Sequence, residues 1–399
     1  MRNYKKVYLT LKGEKRVKEN HPWIYEGDIL KQDNEINEGE IIDIKSDKDK
    51  YLGSGFYNKN SKIRVRLISN NTNDTFDYEF FKRRVSYAID YRLSVIDKEN
   101  QNSFRVIYGE ADELPGLTVD KFNDILVTEV LSLGIDIRKD LIYKALIESF
   151  KERNIVINGI YERNDNKIRE KEGLQEYKGW YKDYIGKSTK VEIIENNIKY
   201  IVDIENGQKT GFFLDQKYNR NRISKLAKGR TVLDVCTHTG SFAMNAYIGG
   251  ALKVTALDIS EKAINDAKEN FKLNNMNIDT IVGDCFEELE KMPKGKYDFI
   301  ILDPPAFTKS RETIKRALSG YQKLNYLGMK AIKRGGFLAT ASCSHFATEE
   351  DFKEAIRKAS VEAGVKLKLL SATGPAPDHP ELIGVPETKY LKFFIYQVF

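Results

Sequence analysis

Apolar and polar positions follow three different rhythms along this chain. Over residues 1–75 short runs alternate and break at turn residues, at 6–11, 39–44, 51–57 and 63–68. Gly53 and Gly55 fall inside one run and mark bends or bulges. Several short strands with such breaks predict a small β-barrel. The polar stretch 69–75 reads as a linker. A helix follows over 77–96, because Phe80, Phe81, Val85, Ala88, Ile89 and Leu93 recur at helical spacing. Strands at 104–108, 117–122, 125–130 and 159–162, with a helix at 139–153, then predict a sheet crossed by a helix.

From about 190 the rhythm changes again. Strands at 231–236, 253–259, 279–282, 297–302 and 336–342 alternate with helices at 241–246, 261–274, 312–332 and 348–363. Such alternation predicts a parallel sheet flanked by helices. Two further strands, 366–370 and 391–398, have no helix between them, which predicts an antiparallel strand at one edge. The organisation expected is α/β in three parts. A small β-barrel occupies 1–75, a middle α+β domain with its linker helix 76–188, and a Rossmann-like domain with a seven-stranded, mostly parallel sheet 189–399.

Composition changes this picture little. The 399 residues are 41% hydrophobic and 31% charged, as in ordinary globular chains. No apolar run reaches the length of a membrane span, and no signal-peptide pattern opens the chain, so a cytoplasmic protein is expected. Cys236, Cys285 and Cys343 form no CxxC pair and His is scarce, which speaks against a structural zinc site and for free thiols. The net charge of +6 permits a polyanionic partner without demanding one. The first twenty residues hold seven basic side chains (Arg2, Lys5, Lys6, Lys12, Lys15, Arg16, Lys18) against Glu14 and Glu19. A solvated face and a nucleic-acid contact are both consistent with that run.

Chemistry concentrates at the strand ends, where open α/β sheets bind ligands. The first strand of the last domain ends in Asp234-Val-Cys-Thr237-His-Thr-Gly240-Ser241. Gly240 lets the backbone approach a ligand, and the triple-glycine phosphate cradle is absent. The second ends at Asp258-Ile259, 24 residues after Asp234, where an acid suits the paired hydroxyls of a ribose. Capping by Asp258 or Ser260 of the helix near Glu261 is the bland alternative. Asp284, just before Cys285, suits an adenine amino group, or else caps the next helix. The fourth strand runs into Asp303-Pro304-Pro305-Ala306-Phe307, and the prolines stop the strand in a rigid loop that aims Asp303 at the pocket. The fifth delivers Ser342-Cys343-Ser344-His345 to the same edge. Cys343 there is either a small buried hydrophobe or a nucleophile.

In order and spacing these elements resemble the class I methyltransferases, which use S-adenosylmethionine. The likeness narrows through Gly207-Gln-Lys-Thr-Gly-Phe-Phe-Leu-Asp-Gln216, the Asp303-Pro-Pro-Ala-Phe307 loop and Ser342-Cys-Ser-His345. Together these resemble the bacterial 23S rRNA cytosine-5 methyltransferases of the RlmI type. Leu11-Lys-Gly and His21-Pro-Trp-Ile look like that family's N-terminal RNA-binding PUA module. Glu110-Ala-Asp-Glu-Leu-Pro-Gly and Tyr161-Glu-Arg-Asn-Asp look like its middle domain. The resemblance thus spans nearly the whole chain. It implies that Phe213, Gln216, Asp234, Thr237, Gly240, Ser241, Asp258, Ile259, Asp284, Cys285 and Asp303 hold the cofactor. It implies that Pro304, Pro305, Phe307, Lys12, Arg16, His21 and Trp23 meet RNA, with large-subunit rRNA as partner and a homodimer as the assembly. The second cysteine that many RNA cytosine-5 methyltransferases carry after the strand-four proline is absent here.

Cytosine C5 is a weak nucleophile. A thiolate adding at C6 makes C5 electron-rich enough to take a methyl group. On this reading Cys343 is the nucleophile, and Asp303 contacts the ring-nitrogen or amino edge. His345 either favours the thiolate or is merely solvated. Three rivals stand: methylation of a guanine or adenine nitrogen, which needs no cysteine; an RNA-binding protein with a non-catalytic methyltransferase fold; and a small-molecule methyltransferase, which leaves the N-terminal barrel and basic segment without a role.

Overall fold

The structure, a computed structural model, describes residues 3–308 and 311–399. Arg2 of the basic run lies outside them. The chain divides into two compact units. One comprises Met1–Ile193, Val202–Leu214 and Pro377–Thr388, the other Ile194–Ile201, Asp215–Ala376 and Lys389–Phe399. The expected barrel and middle domain therefore cluster together, and three short pieces of the 189–399 domain, 189–193, 202–214 and 377–388, belong with them. The linker is tied down rather than loose: the Ser69 hydroxyl donates to Asp74 at 2.6 Å and Arg83 pairs with Asp74 at 2.7 Å. Buried Arg66 also reaches from the first sheet to Glu172 at 2.9 Å.

The first unit opens with β1 (Lys6–Leu9), α1 (Leu11–Lys18), β2 (Trp23–Tyr25), β3 (Ile29–Gln32), β4 (Ile41–Lys45), β5 (Tyr51–Tyr57) and β6 (Ile63–Ser69). They form a six-stranded sheet of order β2-β6-β5-β4-β1-β3 around Val7, Leu9, Ile24, Ile42, Ile44 and Val65. The strand expected to reach residue 11 stops at Leu9, because the Thr10 side chain accepts the Gly13 amide and caps α1. A bulge lies at Ser54/Gly55, where a Cβ on Gly55 would meet the Arg66 carbonyl at 2.3 Å.

Next come α2 (Tyr78–Val95, capped by Asp77), β7 (Ser103–Tyr108), β8 (Leu117–Phe122), β9 (Ile125–Val130), α3 (Leu133–Asp136), α4 (Lys139–Glu152), β10 (Gly159–Asn164) and β11 (Tyr177–Trp180). Their five strands pair in the order β11-β10-β9-β8-β7. A hairpin follows, β12 (Lys190–Glu195) and β13 (Ile198–Asp203), and the border between the units crosses it. Its turn is Asn196-Asn197, both at positive φ (52° and 63°), as two-residue hairpins require.

The second unit holds α5 (Lys217–Ala227), β14 (Thr231–Val235), α6 (Ser241–Ile248), β15 (Lys253–Asp258), α7 (Glu261–Leu273), β16 (Asp279–Val282), α8 (Cys285–Lys291) and β17 (Tyr297–Leu302). It continues through α9 (Ile314–Ala331), β18 (Ile332–Ser342), α10 (Glu349–Glu362), β19 (Leu367–Thr373) and β20 (Lys392–Val398). The seven-stranded sheet has the order β16-β15-β14-β17-β18-β20-β19. The expected antiparallel strand is present but not at the edge. β20 runs antiparallel to both β18 and β19 and lies between them, because the chain leaves after β19 and returns inside it. The order turns back between β14 and β17, so a crevice forms beyond their carboxyl ends. Leu233, Val235, Leu257, Ile300, Leu302 and Leu338, fully buried, make the core beneath it.

Arg220 of α5 and Glu195 form a bidentate ion pair at 2.6 and 2.8 Å, 1% and 0% exposed. Removing one partner of such a pair strands a buried charge. Glu195→Ala is expected to lower unfolding stability by about 3–5 kcal/mol in urea titrations. A loss below about 1 kcal/mol would show that water reaches the guanidinium.

Candidate active site at the strand ends

The turn after β14 is built under strain. Cys236 (φ 61°) and His238 (φ 51°) adopt left-handed backbone, a conformation most side chains avoid, and Gly240 follows at φ 80°. Hydrogen bonds hold the turn: the Thr237 amide donates to the Leu257 carbonyl at 3.0 Å and the His238 amide to Asp258 Oδ2 at 2.9 Å. A Cβ on Gly240 would come within 2.4 Å of the Phe271 ring, so packing demands glycine there whatever the ligand. Ser241, buried, starts α6.

Asp234 lies at the centre of this turn, fully buried. Its Oδ2 accepts from the Thr237 hydroxyl at 2.5 Å and from the Ala243 amide at 3.0 Å. Among the described residues its Oδ1, also buried, has no hydrogen-bond partner. Burial pushes the carboxyl up to about 7; the two donors oppose the shift, and the charges of Asp303 and Asp258 reinforce it.

Around it the other strand ends sort into caps and contacts. Ser260, not Asp258, caps α7, accepting the Ala263 amide at 3.2 Å. Asp258 instead accepts two backbone amides, those of His238 and Ser260, each at 2.9 Å. Asp284 does cap α8, its Oδ1 accepting from Phe286 and Glu287. Ile259 and Val282 expose 68% and 52% of their surface at adjacent strand ends, apolar area open to a flat ring. Cys285 hydrogen-bonds with Cys236, which lowers the Cys285 thiol and raises that of Cys236.

The Asp303 loop is braced from a distance along the chain. Gln216, buried at the start of α5, donates to Asp303 Oδ1 at 3.2 Å and accepts from Asn219 at 2.7 Å. Asn219 in turn donates to the Gly374 carbonyl at 3.1 Å and accepts from Thr373 at 2.8 Å. Pro304 is buried and Pro305 exposed. Phe307 turns onto α9, its ring 4.6 Å from that of Tyr321 and 6.3 Å from that of Phe286. Burial raises the Tyr321 phenol; its oxygen lies 2.8 Å from the Ser344 hydroxyl. Cys343 is half-buried directly after β18, whose Thr340 pairs with Leu302 of β17, so Asp303 and Cys343 emerge from neighbouring strands. His345 is exposed and packs edge-on against Phe346.

The remaining expected contacts lie in the first unit. Phe213 carries the Lys209 ammonium 4.6 Å above its ring. Lys12 is exposed. Arg16 is held by Asp28 at 3.1 Å and covers Tyr25, His21 is buried beside Glu387 at 3.3 Å, and the Trp23 indole donates to Glu110 at 2.8 Å. Arg16, His21 and Trp23 are thus engaged within their own unit. Gln216 stood out in the sequence, but its partner Asn219, and Thr373 behind Asn219, did not.

An acidic crevice at the switch point, without a phosphate cradle, fits a cationic nucleoside. S-adenosylmethionine carries its positive charge on a sulfonium and an ammonium, and the orphaned Oδ1 of Asp234 is a buried acceptor for such a group. Residues 184–380 match the family described as S-adenosylmethionine-dependent methyltransferase, and residues 7–70 match the PUA-like domain. The fold and the site define a class I methyltransferase that uses S-adenosylmethionine. The chain is 36% identical to Ribosomal RNA large subunit methyltransferase I of Pseudoalteromonas atlantica, over 98% of this chain and 99% of that one. It is also 36% identical to the protein of the same name in Aeromonas salmonicida, with 97% of each covered. It belongs to the ribosomal RNA large subunit methyltransferase I family. A SAM-dependent methyltransferase structure from Streptococcus mutans shares the fold at 23% identity and a TM-score of 0.80, covering 98% of this chain and 99% of that one. Another solved methyltransferase, complexed with SAH, aligns at 23% identity and a TM-score of 0.82 with the same coverage. Among the described residues no helix is long and apolar enough to cross a membrane.

Proposed function

We propose that this enzyme methylates C5 of a cytosine in large-subunit rRNA through a covalent adduct at Cys343. The rRNA substrate is supported by the relatives' name across nearly the full chain. The cytosine reading rests on one observation: a half-buried thiol directly after β18, on the strand next to the one that carries Asp303. Bound S-adenosylmethionine supplies a methyl group on a sulfonium leaving group. Asp234, Asp258 and Asp284, with Ile259 beside them, hold it. The Cys343 thiolate bonds to C6, and the C5–C6 electron pair moves onto C5, which takes the methyl. Loss of the C5 proton and expulsion of the thiolate restore the aromatic ring. Asp303, steadied by Gln216, faces the amino and ring-nitrogen edge and stabilises the adduct by hydrogen bonding. A base inside folded RNA is extruded to reach such a pocket. The PUA-like module, with Lys12 exposed on α1, holds phosphate and shape.

The test is the product. Protein, large-subunit rRNA and methyl-labelled cofactor are incubated, the RNA is digested to nucleosides and the label is located. All of it is expected in 5-methylcytidine. Label in a methylated purine would sink the reading.

A further inference from the structure

Lys392 opens β20 and is 4% exposed, opposite Ser342 in the sheet register. A buried ammonium is costly unless hydrogen-bonded and balanced by an anion. Its hydrogen bonds among the described residues go to two carbonyls, those of Ser344 and Ala347, each at 2.7 Å. Both belong to the turn that directly follows Cys343. The titratable and charged groups facing it are the Cys343 thiol, Glu349 and Asp351 on the first turn of α10, and Lys389. Glu349 is engaged by Lys353 at 2.6 Å, and Asp351 by the Thr348 hydroxyl at 2.8 Å in the cap of α10. Burial lowers the ammonium to about 8, and Cys343 opposes that shift.

We propose that Lys392 is the positioning residue of the nucleophile, clamping the 344–347 turn by two hydrogen bonds and supplying the counter-charge that favours the Cys343 thiolate. This rests on the reading of Cys343 as the nucleophile. A neighbouring ammonium is an established way to depress a thiol and raise its thiolate fraction near neutral pH. It also explains why a lysine, rather than an apolar residue, fills this buried position opposite Ser342 at the start of β20.

The test separates charge from structure. The full-length enzyme is alkylated with iodoacetamide across a pH series, and the rate at Cys343 is read by peptide mass spectrometry, apart from Cys236 and Cys285. Lys392→Gln keeps a donor for the turn but no charge; Lys392→Met, nearly isosteric, is read the same way should the glutamine variant not fold. The alkylation midpoint is expected to rise by about one pH unit, roughly tenfold less thiolate at pH 7, with the methyl-transfer pH profile moving in the same direction. A midpoint that stays within about 0.3 unit of the wild type overturns the role of Lys392. Cys343→Ala keeps the two levels apart. If it transfers methyl normally, the nucleophile reading fails. If it is dead while the Lys392 variants leave the midpoint unmoved, the nucleophile stands and the lysine's part falls.

Discussion

Cys343→Ala is expected to lose methyl transfer by at least about 10⁴-fold while binding cofactor as tightly as the wild type. Without the thiol no adduct forms at C6, and unassisted C5 is too poor in electrons to displace a sulfide. The groups proposed to hold the cofactor, Asp234, Asp258 and Asp284, lie on other strand ends and do not depend on the sulfur. Removing one sulfur atom from a half-buried site leaves at most a small void, so folding is expected to survive. Single-turnover transfer to rRNA together with calorimetric titration of the cofactor separates the two effects. Transfer within tenfold of the wild type would falsify covalent catalysis and favour a purine nitrogen as acceptor. Weakened cofactor binding instead would place Cys343 in the wrong pocket.

Asp234→Asn is expected to weaken the cofactor by at least about 100-fold and yet to stabilise the ligand-free enzyme above neutral pH. The wild-type carboxyl titrates at about 7 in the fold, against an ordinary value of 3.8, mainly because it is buried. Between those pH values the folded chain keeps a proton that the unfolded chain has released. Stability therefore falls as pH rises across the window, by about 4 kcal/mol in all for this group. Asparagine does not titrate. Its amide oxygen can take the place of Oδ2 before Thr237 and Ala243, leaving the amide nitrogen at the orphan position. The variant should melt higher than the wild type at pH 8, and the gap should narrow as pH falls and close only at about pH 4, where the unfolded carboxyl is protonated as well. The same nitrogen meets the ligand's ammonium donor to donor, and the charge attraction is gone. Melting curves across pH check the first half and calorimetry the second. Equal melting temperatures at pH 8 would mean that the free carboxylate is solvated. Unaltered cofactor affinity would remove Asp234 from the site.

The two outcomes for Asp234 are one statement about the fold. The strained turn at Cys236 and His238 carries an acid into a place where ionisation is unfavourable until a cation arrives. Binding a cationic cofactor restores the charge the empty fold disfavours, so affinity is expected to rise with pH through about 7.

Much of this was legible in the sequence, for a local reason. Strand and helix rhythm, the cap at Asp284 and the proline stop after Asp303 are each decided within a few residues. The seven strands of the second unit's sheet were all placed, Asp234, Asp258, Asp284 and Asp303 each lie within two residues of a strand's last residue, and Cys343 directly follows its strand. Short elements escaped, since Trp23–Tyr25 and Ile29–Gln32 hold too few residues to show an alternation, and α1 hides behind Thr10. What only the tertiary structure decided is what pairing at long range decides. It placed β20 inside β19, which brings Lys392 to the turn after Cys343. It joined Asp303 to Thr373 through Gln216 and Asn219, and by burying Asp234 it pushed that carboxyl up to about 7. The strand-end acids and the thiol are local facts; their charge states and supports belong to neighbours far along the chain, which no local pattern encodes.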